Sequence, residues 1–338
     1  MSDLQIPALT EEGAPCDQAV EACAPTGQAP RRDVEKLRGR ITADGSSGYP
    51  AEPGRYHVYA AWGCSWSSRA AVIRKLVGLE DVVSLSYADD SADERGWIFG
   101  AASGPDPVNG FSRLREAYEA TVPQWPGRAS VPALWDRVTG KVISNESGAI
   151  SLDLSTQFAA WSTTGAEPYP LALRPEIDAF NSWLHYDVNN GMHRVGNEPD
   201  RARHARFFEI LFDRFDTLER RLAKSRYLFG DTVTEPDVRL WLSLVRLDVA
   251  YPGLLATTLE RPQGFPVLWA YARDLYRLPA FRDATNFAVI RQNFKDNFDH
   301  VHAERVVPAA SIDGWRAESA WEIEGEPNPD QETTEPQT

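Results

Sequence analysis

Hydrophobic and polar positions divide the chain into two regions with different periods. Between about residue 54 and residue 155, short apolar runs alternate with stretches whose apolar positions recur at helical spacing. The pattern predicts strands at 56–61, 82–87, 131–135 and 141–144, and helices at 66–77, 112–120 and 146–155. Strand-helix-strand followed by strand-strand-helix is the order of a thioredoxin-like domain.

From about residue 172 onward, every periodic stretch is helical. The pattern predicts helices at 174–191, 199–223, 234–250 and 264–277. The third has a clear start, with Thr234 as N-cap, Pro236 in the first turn and Asp237 near the positive end of the helix dipole. We therefore expect an α/β domain followed by an all-α bundle.

Polar, Pro-rich or acidic sequence occupies both ends of the chain. Residues 1–30 and 318–338 are predicted to be flexible tails, which leaves a thioredoxin-like thiol-binding domain at 31–160 and an all-α substrate domain at 170–317. The sequence contains no apolar run of the roughly 18 residues that a membrane helix needs, and the N-terminus lacks a basic segment followed by an apolar one. We therefore expect a cytoplasmic protein with no membrane partner.

Charge and cysteine usage narrow the function further. The formal net charge of −14 argues against nucleic acid as a partner, because counter-ion release requires clustered basic residues. Three cysteines, Cys16, Cys23 and Cys64, show no metal-ligand spacing, and the six histidines are scattered. We expect neither a disulfide framework nor a metal centre.

Cys64 lies where a predicted strand leads into a predicted helix. Backbone N–H groups and the positive end of the helix dipole at such a position favour a thiolate over a thiol. The sequence therefore predicts that Cys64 is a nucleophile. The alternative is a buried, inert cysteine, since unpaired cysteines are often buried.

Two further segments of the first region could complete a binding site. Val131-Pro132 opens a strand with an extended or cis peptide, which would leave backbone groups of Val131 available to an extended peptide ligand. Glu146 and Ser147 open a helix, where a carboxylate accepts from an ammonium group and a hydroxyl with backbone N–H groups holds a carboxylate. Both segments could instead be only structural, as a strand start and a helix cap. Together with Cys64, they predict a pocket for a small thiol peptide.

Longer motifs give the chain a specific resemblance. The segments that carry it are Pro53-Gly-Arg-Tyr-His-Val-Tyr59, Cys64-Ser-Trp-Ser-Ser-Arg69, Gly96-Trp-Ile-Phe99, Gly127-Arg-Ala-Ser-Val-Pro-Ala-Leu-Trp-Asp136, Ser144-Asn-Glu-Ser147, Val188-Asn-Asn-Gly191, Tyr227-Leu-Phe-Gly-Asp231 and Arg246-Leu-Asp-Val-Ala-Tyr251. In collinear order over about residues 37–310, they resemble the glutathionyl-hydroquinone reductases, the Xi class of glutathione transferases. The resemblance implies a glutathione-transferase fold, glutathione as co-substrate and a two-fold dimer.

The resemblance also implies roles for individual residues. Cys64 matches the nucleophile that attacks the sulfur of a glutathionyl adduct, and Tyr251 matches a tyrosine that helps to activate it. The glutathione-binding positions of the family match Trp97, Arg128, Val131, Glu146 and Ser147 in this sequence.

The chain departs from the family pattern on the side of the acceptor substrate. The family's Cys-Pro-Trp-Ala is Cys64-Ser-Trp-Ser67 here, and its Asn-Asn-Gly-Val-Tyr, which ends in the proton-donating tyrosine, is Asn189-Asn-Gly-Met-His193. The family's tyrosine pair and Ser-His near the C-terminus are replaced around residues 293–297. Imidazole can also donate a proton, so we assign that role to His193, although it could be only a polar helix residue.

The expected function is removal or exchange of glutathione, or of a similar small thiol, on quinol or other aromatic substrates through a mixed disulfide on Cys64. The altered acceptor positions leave open an isomerase, lyase or conjugating transferase that acts on an aromatic or quinonoid metabolite. A non-catalytic ligand-binding protein with the same fold is a further alternative.

Overall fold

The fold was obtained as a computed structural model, which describes residues 36–89, 92–93, 96–100, 103–198, 200–250 and 264–292. In chain order the strands are β1 (Tyr56–Ala60), β2 (Ser84–Tyr87), β3 (Ala92–Asp93), β4 (Gly96–Trp97), β5 (Ala133–Asp136) and β6 (Lys141–Ser144). The helices are α1 (Ser65–Leu76), α2 (Leu114–Thr121), α3 (Ser147–Thr156), α4 (Arg174–Leu184), α5 (Asn190–Asn197), α6 (Arg201–Leu222), α7 (Glu235–Ala250), α8 (Pro266–Arg277) and α9 (Pro279–Arg282).

Four of these strands form one mixed sheet in the order β2-β1-β5-β6. Strand β1 runs parallel to β2 and antiparallel to β5, and β5 runs antiparallel to β6. The parallel pair requires a crossover connection, which α1 supplies. Strands β3 and β4 form a separate hairpin of two residues each, which the hydrophobic pattern did not predict.

Strand β1 lies inside the sheet, and all five of its residues are buried. Tyr56 and Val58 point into the core shared with α1, α3 and the C-terminal helices, whereas Tyr59 points into a second cluster with Tyr118 and Trp125. This alternation follows from the two-residue period of a strand. One continuous core therefore joins the sheet region to the helical region.

Helix α7 starts as its sequence predicts. The Asp237 carboxylate accepts hydrogen bonds from the backbone N–H and hydroxyl of Thr234, from the backbone N–H of Leu228 and from the Tyr271 hydroxyl. Burial raises the pKa of Asp237, and these four donors oppose that rise. The cap fixes the start of α7, which packs against α1 and contributes several side chains to the site described below.

The predicted helix over 174–191 is wrong in one respect. The α-helical turns of α4 end at Leu184, a π-helical segment follows at His185–Asn189, and α5 continues to Asn197. The wider turn was not predictable from apolar spacing, because the segment has polar residues on most positions. Among the described residues, no helix is both long and apolar enough to cross a membrane.

Candidate active site

Cys64 lies at the junction of the sheet and α1. It is the N-cap of α1, its backbone is extended (φ −86°, ψ 112°), and its N–H donates to the Ala61 carbonyl at 3.1 Å. The half-buried thiol donates to the carbonyl oxygen of Val131 at 3.6 Å. The sequence predicts a thiol that faces the N–H groups of the helix, whereas within the described residues its hydrogen bond goes to the Val131 carbonyl. The thiol therefore lies beside the residues that precede β5.

The buried Arg69 and the half-buried Arg246 interact with Cys64 electrostatically. Burial lowers the pKa of Arg246 to about 10 and that of Arg69 to about 9, and in both cases the negative charge of a Cys64 thiolate opposes the change. Arg246 reaches α1 directly, where its Nη2 lies 3.2 Å from the Ser68 hydroxyl.

Of the predicted thiol-binding residues, Val131 contacts the thiol through its carbonyl oxygen. Val131 is buried and joined to Pro132 by a cis peptide bond. Ser147 opens α3 and donates a hydrogen bond of 2.6 Å to the Trp66 carbonyl, which connects the first turns of α3 and α1. Glu146 is the N-cap of α3, and its carboxylate lies 3.3 Å from the ammonium group of Lys36.

Trp97 and Arg128 lie on the same side. A bridge between Gly96 and Ala129 places β4 beside the segment that carries Arg128 and Val131. Trp97 is half-buried and packs, as Cys64 does, against the cluster on the second face of the sheet, whereas Arg128 is exposed. Tyr251, the remaining predicted site residue, lies outside the described residues, as do residues 293–297.

A small pocket lies beside Ser65, the residue after Cys64 in the chain. The lining residues come from α1, the π-helical turn, α5 and α7: Ser65, Trp66, Arg69, Asn189, Met192, His193, Arg239, Leu242 and Ser243. The ring of His193 stacks on Trp66 with centroids 6.1 Å apart, and His185 approaches the same indole at 5.4 Å. His193 and Ser65, the residue after Cys64, therefore line the same pocket.

Sequence reasoning missed the charged and amide side chains of this pocket, namely Arg69, Asn189 and Arg239. Arg239 could have been found from its spacing to Glu235, which predicts an ion pair at i, i+4. Arg69 is 3% exposed. No such signal marks it, because the sequence of a helix does not indicate which of its arginines is buried. Within the part of the chain that the structure describes, no group of three metal-ligating side chains occurs.

Comparison with known proteins identifies the family. Residues 201–274 match the model of the glutathione S-transferase C-terminal domain. The chain is 37% identical to glutathionyl-hydroquinone reductase PcpF of Sphingobium chlorophenolicum, over 82% of this chain and 88% of that protein. It is 32% identical to glutathionyl-hydroquinone reductase YqjG of Escherichia coli, over 86% and 90%. The chain belongs to the glutathionyl-hydroquinone reductase family, the Xi class of glutathione transferases.

Solved structures of this family agree with the fold. A glutathione transferase from Gordonia bronchialis superposes with a TM-score of 0.73 at 40% identity, covering 81% of this chain and 86% of that one. The glutathione-bound structure of Escherichia coli YqjG superposes with the same score at 31% identity, over 80% and 91%. The predicted glutathione-transferase fold is confirmed.

Ser67, in the first turn of α1, is buried. Its hydroxyl donates to the carbonyl oxygens of Ala61 and Cys64 and accepts from the Ala61 N–H at 3.1 Å. Serine at this position therefore adds a polar link between the end of β1 and the backbone of Cys64.

Proposed function

We propose that this protein reduces glutathionyl adducts of hydroquinones through a mixed disulfide on Cys64. The observation that supports the proposal is the position of Cys64 at the start of α1. Its thiol donates to the Val131 carbonyl, and the next residue, Ser65, lines the pocket that contains Trp66 and His193. Such a thiol can contact a glutathionyl sulfur while the attached ring lies beside the pocket.

The reaction balances in two steps. The Cys64 thiolate attacks the glutathionyl sulfur, the bond between that sulfur and the ring carbon breaks, and the ring carbon takes up a proton as the hydroquinone leaves. A second glutathione then attacks the mixed disulfide as its thiolate, which releases glutathione disulfide and regenerates the Cys64 thiolate. The ring is reduced, and the two glutathione molecules supply the electrons.

Groups at the start of α3 support glutathione as the thiol. Glu146 could exchange the Lys36 ammonium for the ammonium of the ligand, because both make the same type of ion pair. The Ser147 hydroxyl and the N–H groups of the α3 first turn can hold a carboxylate. The Escherichia coli relative was solved with glutathione bound. Trp97 and Arg128, beside Val131, would contact the rest of the peptide.

His193 is our candidate for the group that protonates the ring carbon. It lines the pocket and stacks on Trp66. Trp66 is the second residue after Cys64 in the chain. Imidazole transfers protons near neutral pH, which suits this step. Tyr251 retains the activating role that the family resemblance implies.

Mass spectrometry with a defined substrate tests the reaction. The full chain is mixed with glutathionyl-hydroquinone in the absence of free glutathione, and we expect Cys64 to gain one glutathionyl group as one hydroquinone is released. Adding glutathione should then remove the group and give glutathione disulfide. Formation of a new glutathione conjugate without any Cys64 adduct would favour a conjugating transferase, and binding without either product would favour a non-catalytic protein.

We also infer that the protein forms a two-fold homodimer in the cytoplasm. The dimer rests on the family resemblance, and the location rests on the sequence prediction. Light scattering at micromolar concentration tests the first inference, with a mass of two chains expected. Fractionation of cells that express the natural protein tests the second.

A further inference from the structure

A short piece of chain that begins with β4 runs beside the segment that carries Arg128 and Val131. We call residues 96–99 the β4 strap. At its start, Gly96 pairs with a residue of that segment in a parallel bridge. At its end, the side chain of Phe99 is buried in the cluster on the second face of the sheet. The strap is therefore anchored at both ends.

The contact between Gly96 and Ala129 leaves no room for a side chain on Gly96. A Cβ atom there would lie 2.9 Å from the Ala129 carbonyl oxygen and 3.0 Å from the Ala129 Cβ. Ala129 is fully buried, so it has no open space to move into. Gly96 also has a φ of +111°, a backbone conformation that residues with a side chain rarely adopt. The position therefore requires glycine both for space and for backbone conformation.

This close approach brings Trp97 to the thiol-binding side of Cys64. Ala129 follows Arg128 and lies two residues before Val131. The Val131 carbonyl accepts the hydrogen bond of the Cys64 thiol. Trp97 is half-buried and packs, as Cys64 does, against the cluster on the second face of the sheet. The separation between the β4 strap and Ala129 therefore sets how far Trp97 lies from a peptide bound along Val131.

We propose that Gly96 is a positioning residue for glutathione, because its contact with Ala129 holds Trp97 against the bound peptide. The inference rests on the proposed function, since it takes the peptide of glutathione as the ligand of this side. A side chain at position 96 would push the β4 strap away from Ala129, because β4 is only two residues long whereas Ala129 is fully buried. Trp97 would move with the strap. Gly96 has no side chain with which to bind the peptide, so it acts through Trp97.

Calorimetric titration of the full chain with reduced glutathione tests this role. Gly96→Ala should raise the Kd for glutathione roughly three- to tenfold, the size expected for a single aromatic contact. The rate at which iodoacetamide alkylates Cys64 should stay as in the wild type, since this small reagent needs no contact with a peptide site. An unchanged Kd in folded Gly96→Ala would overturn the proposal. So would an equal loss of the alkylation rate, which would place the disturbance at the thiol.

The matched control is Gly140→Ala in the turn between β5 and β6. Gly140 also has a positive φ, +64°, but a Cβ atom there would meet no other atom within 4 Å. The variant thus carries the backbone cost of alanine without the clash, and its Tm should fall while its Kd for glutathione stays as in the wild type. If Gly140→Ala raised the Kd as much as Gly96→Ala, a general loss of stability would explain both, and the positioning role would be wrong.

A double-mutant cycle tests whether Gly96 acts through Trp97. Trp97→Leu alone should raise the Kd at least as much as Gly96→Ala does. Gly96→Ala in the Trp97→Leu background should add little, because the contact that it disturbs is already gone. Two effects on Kd that multiply would show independent action and would contradict the proposal. Phe99→Leu loosens the other end of the β4 strap, and it gives the same comparison with Trp97→Leu where Gly96→Ala does not fold.

These binding measurements separate the inference from the proposed reaction. If Gly96→Ala and Trp97→Leu weaken glutathione binding without multiplying, but no glutathionyl-hydroquinone is turned over, the proposed reaction fails and the positioning role stands. If the adduct is turned over through Cys64 but the Kd for glutathione does not respond to Gly96→Ala, the positioning role fails and the proposed reaction stands.

Discussion

The two sides of Cys64 differ in how their polar groups are satisfied. On the thiol-binding side, Cys64 donates to Val131, Ser147 donates to Trp66 and Glu146 pairs with Lys36. We call the pocket lined by Trp66 and His193 the acceptor pocket. In it, the Nε of Arg69 and the Oδ1 of Asn189 have no hydrogen-bond partner among the described residues.

This difference gives the two sides different roles, one in affinity for a ligand and the other in selection between similar ligands. A ligand on the thiol-binding side exchanges one set of hydrogen bonds for another, so each contact contributes a modest net free energy. A ligand in the acceptor pocket would satisfy groups that folding has already removed from water. Sites of that kind reject analogues that lack the matching group, because the protein atom is then left unpaired. We therefore expect the acceptor pocket to determine specificity and the thiol side to hold a common co-substrate.

The largest expected effect comes from the thiol that both sides share. Cys64→Ser keeps the size of the side chain but removes the nucleophile, and loss of a nucleophile costs roughly 10³-fold or more in kcat. Turnover of glutathionyl-hydroquinone should become undetectable, while binding of glutathione and of the free acceptor persists. The matched control is Cys16→Ser with Cys23→Ser, which should keep full activity. Activity retained in Cys64→Ser would move the chemistry to the bound thiol.

The next effect is on protein stability, and it concerns two buried histidines, one in the sheet and one in the helical region. In the sheet, His57 is 1% exposed with its ring nitrogens 2.7 Å and 2.8 Å from the hydroxyls of Ser84 and Ser86, and burial lowers its pKa to about 3. In the π-helical turn, burial followed by repulsion from Arg69 lowers the pKa of His185 to about 4. Above pH 6.5 both imidazoles are neutral in the folded and unfolded chains, so the full stability is present.

As the pH falls below about 6.5, the two histidines take up protons in the unfolded chain, whereas in the folded chain they stay neutral. Stability then decreases by up to about 1.4 kcal/mol per pH unit for each group until its folded pKa is reached. For His57 the loss at pH 4.5 is about 2–3 kcal/mol. Urea unfolding of wild type and His57→Gln at pH 7.5 and 4.5 checks this, and the variant should lose less stability on acidification. An equal loss would show that His57 titrates alike in both states.

A smaller effect concerns Glu146, which should position the thiol without taking part in the chemistry. Because a hydrogen bond to a charged group contributes roughly 1.5–3 kcal/mol, Glu146→Ala should raise the KM for glutathione by about one to two powers of ten. The saturating rate and the KM for the acceptor should change little. Initial rates over a glutathione series measure both.

The matched control is Glu52→Ala, which removes an exposed carboxylate that pairs with Arg55 away from Cys64. It should leave every kinetic constant unchanged. Lys36→Ala removes the resident partner of Glu146, and it should lower the KM for glutathione by no more than about fivefold, since exposed ion pairs contribute 0–1 kcal/mol. An unchanged KM in Glu146→Ala would place the ligand's ammonium group elsewhere.

The thiol side was more predictable from sequence than the acceptor pocket. Strand β6 has the predicted bounds and α1 starts one residue earlier than predicted, because strand alternation and helical periodicity are strong over these segments. The assignment of Cys64 to a helix start follows from the same local pattern. Strand β5 starts at Ala133 rather than 131.

The acceptor pocket depends on contacts between distant segments. Arg69 and Arg239 line the same pocket only because α1 packs against α7, and the register of that packing is set by the whole core. Asn189 enters the pocket through a π-helical turn that apolar spacing does not reveal. The thiol's own acceptor is a backbone carbonyl, and any residue type could have supplied it. Local patterns predict elements, whereas unsatisfied buried groups emerge only from tertiary structure.

The last prediction tests whether the acceptor pocket takes part in proton transfer. An imidazole near its ordinary pKa of about 6.5 donates a proton less often as the pH rises, so turnover should fall by up to about tenfold for each pH unit above that value. In His193→Phe this alkaline limb should disappear from the pH profile of kcat, and in His193→Tyr it should move toward the value of a phenol, about 10.

His185→Phe is the matched control for this profile, because His185 approaches the same indole but its pKa of about 4 keeps it neutral throughout the measured range. Its replacement should change the rate without moving the limb. If the limb survives in His193→Phe, water or another group supplies the proton, and the acceptor pocket contributes binding alone. If the limb disappears only in the His193 variants, the pocket joins specificity and chemistry, and the thiol side remains a holder of the co-substrate.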